Sequence, residues 1–299
     1  MRMMTTCIGA LVLAVCVVCD SARAGEGAKA VDTKKICFVA GRDSHGRAAH
    51  AHGPGLQYFA DELEAHMPNI ETALHRGGWP QDPSFFDGAD AIVIYCDGGP
   101  RHVVMKHLAD VDKMAAAGVG IGCLHYGVEI PKGRPGDFLL KWTGGYFETH
   151  WSVNPFWMAT FSDIPKHPVT RGVKPFSMRD EWYFHMRFPE GMEGVTPVLS
   201  AVAPLETIKR ADGPHSNNPT VRKEVTAGVP QHLAWITTRA DGGRGFGTTG
   251  GHNHMGWKED NYRRLVLNAI VWIAKGEVPA EGVPSPTPTD AQLSAYLER

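Results

Sequence analysis

The sequence predicts an α/β fold built on a doubly wound, mostly parallel sheet. Two observations carry this prediction. Short apolar runs alternate with amphipathic helical segments through the first half of the chain, and a polar cluster directly follows several of the apolar runs. In a doubly wound sheet the ligand site lies outside the carboxyl ends of the strands, so these clusters are expected to share one cleft. The second half is richer in short strands and turns, and we expect it to add β-rich insertions.

Residues 1–24 have the pattern of a secretory signal peptide. A positive charge at Arg2 precedes an apolar run over 7–19 that is too short to span a bilayer, and 22–24 is an Ala-Arg-Ala cleavage site. We expect a periplasmic or secreted protein with no stable membrane anchor after cleavage. An uncleaved anchor is the competing interpretation. A lipoprotein is disfavoured because a valine precedes Cys16, where a small residue is required.

Residues 25–33 are expected to form a short linker and 34–278 the folded domain, which opens as a βαβ unit. Lys34 to Gly41 is a charged start followed by an apolar run, typical of a first parallel strand. Gly53-Pro54 then opens a helix. The apolar side of that helix consists of Leu56, Phe59, Ala60, Leu63 and Met67. The next predicted elements are strands at Ile70–His75, Ala91–Cys96 and Val119–Leu124, with a helix at Val103–Ala117.

The second half of the domain is predicted to be mainly strands, followed by one helix. The predicted strands are 142–151, 156–161, 196–202, 232–238 and 245–249. Asp260 or Asn261 caps the closing helix, which ends near Gly276. Residues 279–299 form a Pro-rich tail whose last ten residues are expected to add one or two helical turns.

Charge and cysteine content narrow the function. The formal net charge is −2 and no basic stripe is present, so nucleic acid is not an expected partner. Neither a Gly-rich fingerprint after the first strand nor a Walker lysine is present, so no nucleotide cofactor is expected. Three of the six cysteines lie beyond the signal peptide, namely Cys37, Cys96 and Cys123. They fall in or beside apolar runs, and we expect buried free thiols.

The segment Gly120–Glu129 is the most informative part of the chain. Its apolar run ends in Gly-x-Cys-x-x-x-Gly, which predicts a buried strand that turns sharply and lifts one side chain above the sheet edge. The lifted side chain is predicted to be His125, with Cys123 deeper on the same face. An imidazole at this position favours proton transfer or metal binding, whereas a cysteine or serine would favour acyl transfer.

Histidines and one carboxylate form the predicted centre. Imidazoles and carboxylates are good ligands for zinc, manganese or iron. His252 and His254 would point to one side of an extended segment, and together with His125 they are the predicted metal ligands. The alternative is that these histidines line a sugar cleft and bind hydroxyl groups. Glu181 stands beside two aromatic residues that would raise its pKa, so it is a candidate general acid or base. An exposed acidic turn is the competing interpretation.

His125, His252 and Glu181 are therefore the predicted catalytic residues. The residues predicted to contact a substrate are His45, Asp43, Asp97, Arg101, His150, Tyr183 and Trp257. Trp79 and Trp151, like Tyr183 and Trp257, fit a sugar-stacking role or a core role, and for Trp79 the two roles are equally favoured. We assign no role to His50 and His52, because a solvated helix start explains them equally well, and we expect His66, His102 and His107 to face solvent.

These motifs, in this order, resemble the ThuA-like family, which is named for trehalose utilisation and is related in fold to the class I glutamine amidotransferases, a flavodoxin-like arrangement. The resemblance runs from about Lys34 to Gly276. The matching pieces are Gly41-Arg42-Asp43-Ser44-His45, Gly122-Cys123-Leu124-His125, Gly144-Gly145-Tyr146-Phe147-Glu148-Thr149-His150, His167-Pro168-Val169-Thr170-Arg171-Gly172, Asp180-Glu181-Trp182-Tyr183 and Gly251-His252.

The resemblance implies an exported protein that acts on a small-molecule carbohydrate. It suggests sugars or oxidised 3-keto-glycosides, with elimination or hydrolysis carried out by His/Glu acid–base chemistry and metal assistance. His125 stands where the amidotransferases have their nucleophilic cysteine, and His252 matches the region of their base, so glutamine hydrolysis is not expected. Two other classes stay open: a carbohydrate-binding module without catalysis, and a hydrolase using Cys123, which its buried position disfavours.

Overall fold

The computed structural model describes residues 32–298, so the predicted signal peptide lies outside the described residues. The strands are β1 Lys34–Ala40, β2 Ile70–His75, β3 Ala91–Tyr95, β4 Gly120–Leu124, β5 Trp157–Phe161, β6 Phe176–Asp180, β7 Val195–Val202, β8 Pro230–Thr238 and β9 Arg244–Thr248. The α-helices are α1 His52–His66, α2 Leu108–Ala116, α3 Arg134–Thr143, α4 Pro219–Thr226, α5 Asp260–Ile273 and α6 Asp290–Tyr296.

A seven-stranded sheet has the order β2-β1-β3-β4-β9-β8-β7, and β5 and β6 form a separate antiparallel pair. The five strands from β2 to β9 are parallel, whereas β8 and β7 continue the sheet in antiparallel fashion. From β1 the chain goes to β2 on one side and then crosses back to β3 on the other side of β1, which makes the gap between β1 and β3 a topological switch point. This arrangement confirms the predicted α/β fold with a mostly parallel sheet.

Alternate residues of the central strands enter two separate cores. On one face of the sheet Phe38 and Val93 pack with the buried sides of α1 and α5. On the other face Val39 and Ile92 pack with residues of α2 and α3. Because both faces of β1, β3 and β4 are covered, these strands read as continuous apolar runs, and this is why their bounds were predictable from the sequence.

The predicted strand at 142–151 is wrong. Residues 134–143 form α3, which has Pro135 in its first turn and ends at Gly144 in a left-handed conformation with φ of 86°. The aromatic residues that suggested a strand are buried one by one, Trp142 from the helix and Phe147 from the following loop. Strand β6 and helix α4 were not predicted, and α2 is shorter than the predicted helix at Val103–Ala117.

The cysteines behave as expected. Cys37, Cys96 and Cys123 are free and buried. Burial raises the pKa of Cys37 to about 11 and that of Cys96 to about 12, and it raises the pKa of Cys123 further still. A thiolate at any of these positions is therefore disfavoured at neutral pH. Within residues 32–298, no helix combines the length and apolarity needed to cross a bilayer.

Candidate functional site

Five chain segments meet at the carboxyl edge of the parallel strands. His125 directly follows β4, Asp97 lies just beyond β3, and His50 lies in the loop between β1 and α1. His252 lies in the loop after β9, and Glu181 directly follows β6 of the small sheet. The polar clusters that the sequence analysis assigned to one cleft are thus brought together, with a contribution from the β-rich second half.

The turn after β4 holds His125 in a fixed orientation. Its backbone is left-handed, with φ of 48°, a conformation that costs a residue other than glycine about 1–3 kcal/mol. The side chain is fully buried, and its Nδ1–H donates to the carbonyl oxygen of Thr249 at 2.7 Å. This bond fixes the tautomer and leaves the lone pair of Nε2 directed into the site.

The loops after β1 and β9 are joined by backbone hydrogen bonds. The amide of His50 donates to the carbonyl of His252 at 2.8 Å. Asp180 ties the second loop to β6, because its carboxylate accepts from the backbone amides of Gly251 at 2.7 Å, Glu181 at 2.7 Å and His252 at 3.2 Å. Burial raises the pKa of Asp180 to about 6, although these bonds lower it. Asp180 therefore positions Glu181 and His252 and does not itself face the cleft.

Four side chains form a connected centre, which we call the His/Glu cluster: His50, His125, Glu181 and His252. Nε2 of His50 lies 3.1 Å from Nε2 of His125 and 3.0 Å from Nδ1 of His252. Nδ1 of His252 is in turn 2.9 Å from Oε2 of Glu181. The same carboxylate oxygen is 3.6 Å from Nε2 of His125, so the contacts among the four side chains form a closed ring.

Burial keeps the inner histidines of the cluster neutral. It lowers the pKa of His125 well below its usual value, with a further contribution from neighbouring His50. Burial also lowers the pKa of His50, partly offset by the hydrogen bond to Asp97. Asp97 is itself ionised: burial raises its pKa, but bonds from His50 and Ser44 outweigh this and bring it to about 2.

The cluster has the donor set of a metal site. One ligand atom from each of its four residues lies within 4.8 Å of all the others. A second group, His45, His50 and Asp97, meets the same distance criterion and shares His50 with the first. Three imidazole nitrogens and one carboxylate oxygen suit zinc, manganese or iron, the ions expected from the sequence.

A pocket of about 590 Å³ opens beside the cluster, lined in part by Asn154, Phe156, Glu181 and Arg210. Phe156 is 50% exposed, and its ring centroid lies 4.8 Å from that of His252. Nδ2 of Asn154 donates to Oε1 of Glu181 at 3.2 Å. An exposed aromatic ring, an amide and an arginine around a carboxylate are the kind of surface that binds sugar rings and hydroxyl groups.

Several residues predicted to contact substrate lie at or near the cluster. The hydroxyl of Tyr183 donates to Nε2 of His125 at 3.0 Å, and Asp97 accepts from Nδ1–H of His50 at 3.3 Å. His45 is exposed at the rim, with its ring 4.0 Å from the ring of His50. Asp43 and Arg101 line a neighbouring pocket of about 630 Å³ that also includes Asp97.

Other predicted residues lie elsewhere. His254 is buried against α6, where its Nε2–H donates to the carbonyl of Leu293 at 3.1 Å. A short 3₁₀ helix starts at His254, so the alternation expected for an extended segment does not apply. Trp257 is fully buried between Phe59 and Tyr262 and cannot stack on a sugar. His150 is exposed, and its backbone amide bonds to Pro214.

His50 stands in the cluster, although its sequence position fits a solvated helix start equally well and predicts no role for it. His50 and His52 are both buried, and so is His102, which was expected to face solvent and bonds to the carbonyl of Gly127 at 2.9 Å. The available signal was that His50 follows the first strand at the predicted ligand edge. Phe156 and Arg210 carried no motif that marks a pocket.

Comparisons with known proteins agree with this architecture. The family model described as ThuA, trehalose utilisation, matches residues 55–273. A ThuA-like protein from Bacteroides uniformis ATCC 8492 is similar in structure, with a TM-score of 0.56 and 15% identity over 82% of this chain and 93% of the other. A ThuA-like protein from Parabacteroides merdae ATCC 43184 gives a TM-score of 0.56 and 15% identity over 87% and 96%. At this identity the likeness shows the fold alone. No curated protein matches the chain.

Proposed function

The chain belongs to the ThuA family, whose description points to a carbohydrate-related role, and from that premise we propose that it is a carbohydrate-processing enzyme whose catalytic centre is the His/Glu cluster. The observation that carries the proposal is the pair His252 and Glu181, 2.9 Å apart, at the edge of a pocket with an exposed phenylalanine. A carboxylate that bonds to an imidazole orients it and strengthens it as a base.

The substrate class we propose is an oxidised glycoside with a ketone at C3. The ketone acidifies the hydrogen on C2, so a base can remove that proton while the electron pair delocalises onto the ketone oxygen as an enolate. When the enolate collapses, the C1–O bond breaks, and the departing oxygen takes the electron pair and a proton. Addition of water across the new C1–C2 double bond completes hydrolysis, and without it the reaction is an elimination.

The residues of the cluster match the needs of this reaction. His252, held by Glu181, is the proposed base, since its side chain is partly open to the pocket. The hydroxyl of Tyr183 is the proposed donor to the developing enolate oxygen, and His125 holds that hydroxyl in place, since its own ring N–H is directed at Thr249. Phe156 is the proposed platform for the sugar ring.

The test compares turnover of a 3-keto-glucoside with turnover of the matching unoxidised glucoside. Release of the aglycone is the measured signal. We expect the keto sugar to react, and His252→Ala or Glu181→Gln to lower kcat about 10²- to 10⁴-fold. Phe156→Ala should mainly raise KM. Val202→Ala, which shortens another exposed apolar side chain that does not line this pocket, is the control. Full turnover by folded His125→Ala and His252→Ala variants would contradict the assignment of the cluster as the catalytic centre.

A carbohydrate-binding module without catalysis is the second candidate, favoured by the exposed ring of Phe156. It predicts that sugars raise the melting temperature while no substrate reacts.

Export is part of the proposal, since residues 1–24 have a signal-peptide pattern. Mass spectrometry of the protein from the periplasm or medium should give a mature chain starting at Gly25, and an uncleaved chain would contradict it.

A further inference from the structure

We propose that the His/Glu cluster is a binding site for one divalent transition-metal ion, with His50, His125, His252 and Glu181 as its ligands. The inference rests on the site of the proposed function and changes one role in it: with the ion bound, Nδ1 of His252 is a ligand, and the base is Glu181 through Oε1, the oxygen beside Asn154. It can be tested without a substrate. The geometry points to this set and not to the pair His252 and His254, because His254 lies in the core against Leu293.

The hydrogen-bond partners of His125 and His50 determine which ring nitrogen of each carries the proton. Nδ1 of His125 faces a carbonyl oxygen, which can only accept, so the proton of this ring is on Nδ1. Nδ1 of His50 faces the carboxylate of Asp97 and the hydroxyl oxygen of Ser44. The Ser44 hydroxyl donates to Asp97 at 2.6 Å, so its oxygen is free to accept from His50, whose proton is therefore also on Nδ1.

Both rings then direct a lone pair from Nε2 at the other, across 3.1 Å. Two donors face these acceptors. The hydroxyl of Tyr183 can donate to His125, and the Nδ1–H of His252 can donate either to Glu181 or to His50, so one acceptor is left without a donor. A buried acceptor without a donor costs about 1–3 kcal/mol. A cation placed among these atoms satisfies all of the lone pairs at once.

Hydrogen bonds behind the cluster hold three of the four side chains in place. Metal-binding histidines almost always donate their second ring N–H to a carbonyl or carboxylate, and ligating carboxylates are themselves hydrogen-bonded. His125 has Thr249, His50 has Asp97, and Glu181 accepts from Asn154 through the oxygen that faces away from the cluster. These outer bonds are already formed, so the ligands need little rearrangement to bind an ion.

The cluster is closed on one side and open to solvent on the other. The side chains of His125 and His50 are 0% and 3% exposed, whereas those of Glu181 and His252 are 12% and 15% exposed. An ion would thus have protein on its inner side and the pocket of Asn154, Phe156 and Arg210 on its outer side. Three protein nitrogens favour zinc, manganese or iron over magnesium or calcium, which prefer oxygen ligands throughout. Such an ion polarises a ketone or enolate oxygen when a sugar binds.

Elemental mass spectrometry of the untagged mature protein is the first experiment, and we expect about one transition-metal ion per chain. After removal of metal with a chelator, cobalt(II) is titrated and its visible absorption recorded. Wild type should give saturable bands. His50→Ala, His252→Ala and Glu181→Gln should weaken cobalt binding at least about 10- to 100-fold. Glu181→Gln keeps the size of the side chain and decides the matter if a histidine variant fails to fold.

Two histidine variants serve as controls. His66→Ala removes a half-buried imidazole at the far end of α1, and His254→Gln tests the ligand set expected from the sequence. Both should bind cobalt like wild type. The proposal is overturned if wild type binds neither its own metal nor cobalt, if folded Glu181→Gln binds normally, or if folded His254→Gln loses binding. Wild-type protein that binds no metal yet turns over a keto sugar overturns the metal site and leaves the enzyme proposal intact. Bound metal without turnover of any sugar overturns the enzyme proposal and leaves the metal site intact.

Discussion

Glu148 illustrates how single residues determine the pH range in which the fold is stable. Its buried carboxylate accepts from Lys132 at 2.9 Å, from Tyr146 at 2.7 Å and from Arg187 at 3.0 and 2.9 Å. Burial raises the pKa of Glu148, but bonds from Arg187, Lys132 and Tyr146 outweigh it and bring the pKa to about 2. Since the unfolded value is about 4.3, ionised Glu148 stabilises the fold above that pH, and this contribution is lost as the pH falls towards 2.

At the residue scale we therefore predict that Glu148→Gln lowers the free energy of unfolding by about 3 kcal/mol at pH 7, and that this difference falls to about half at pH 3. Urea denaturation of wild type and variant at both pH values measures the change. Comparing the two proteins cancels the titration of other carboxylates such as Asp97. Exposed Glu193→Gln should show little effect at either pH. A difference that does not vary with pH would refute the role assigned to Glu148.

At the scale of elements, β4 depends on small residues to bring α5 close to the sheet. A Cβ at Gly120 would lie 2.1 Å from the carbonyl oxygen of Ile273, which is backbone at the end of α5. A Cβ at Gly122 would lie 3.0 Å from Cδ1 of the same isoleucine, the movable end of a side chain. The backbone of Ile273 can move only if the helix shifts, whereas its side chain can adopt another rotamer.

The two glycines therefore form a matched pair on one strand. We predict that Gly120→Ala lowers the free energy of unfolding by about 2–3 kcal/mol and Gly122→Ala by about 1 kcal/mol or less. Strand propensity changes equally in both variants, so the difference between them isolates the contact with α5. Urea midpoints at unchanged slope measure it. Equal costs would mean that α5 adjusts to the added methyl group.

At the scale of the whole molecule, the C-terminal tail is an integral part of the domain. Helix α6 starts with a capping box between Thr289 and Gln292 and places Leu293 in the core with no exposed surface. Tyr296 donates to Asp61 of α1 at 2.9 Å, and the carbonyl of Leu293 accepts from His254, just beyond the loop that holds His252. The tail therefore braces the segment that follows the cluster.

We accordingly predict that Leu293→Ala lowers the free energy of unfolding by about 2–4 kcal/mol. The cluster itself should persist, because its residues are held by Asp180, Asp97 and Thr249, so cobalt binding by the folded variant should be retained. Thermal and urea denaturation give the stability, and Leu205→Ala, at a residue that is 56% exposed, should change it by no more than about 0.5 kcal/mol. A Leu293→Ala variant as stable as this control would show that α6 does not support the fold.

The parallel half of the fold could be predicted from the sequence. Strands β1, β3 and β4 are buried on both faces, so each appears as an apolar run, and the Gly-rich turn after β4 marked His125. Such features are local, because burial and backbone conformation leave their signature within a few residues. The same reasoning failed at 142–151, where aromatic residues are buried from a helix and a loop and therefore show no period.

Which histidines meet depends on the tertiary structure. His50 and His252 are about two hundred residues apart, and they are brought together by a backbone hydrogen bond between loops at the sheet edge. His254, two residues from His252, is turned into the core by a 3₁₀ helix and held there by α6. Sequence spacing predicts a shared direction only while the chain stays extended. The membership of the cluster follows instead from strand order and long-range hydrogen bonds, which local periodicity does not encode.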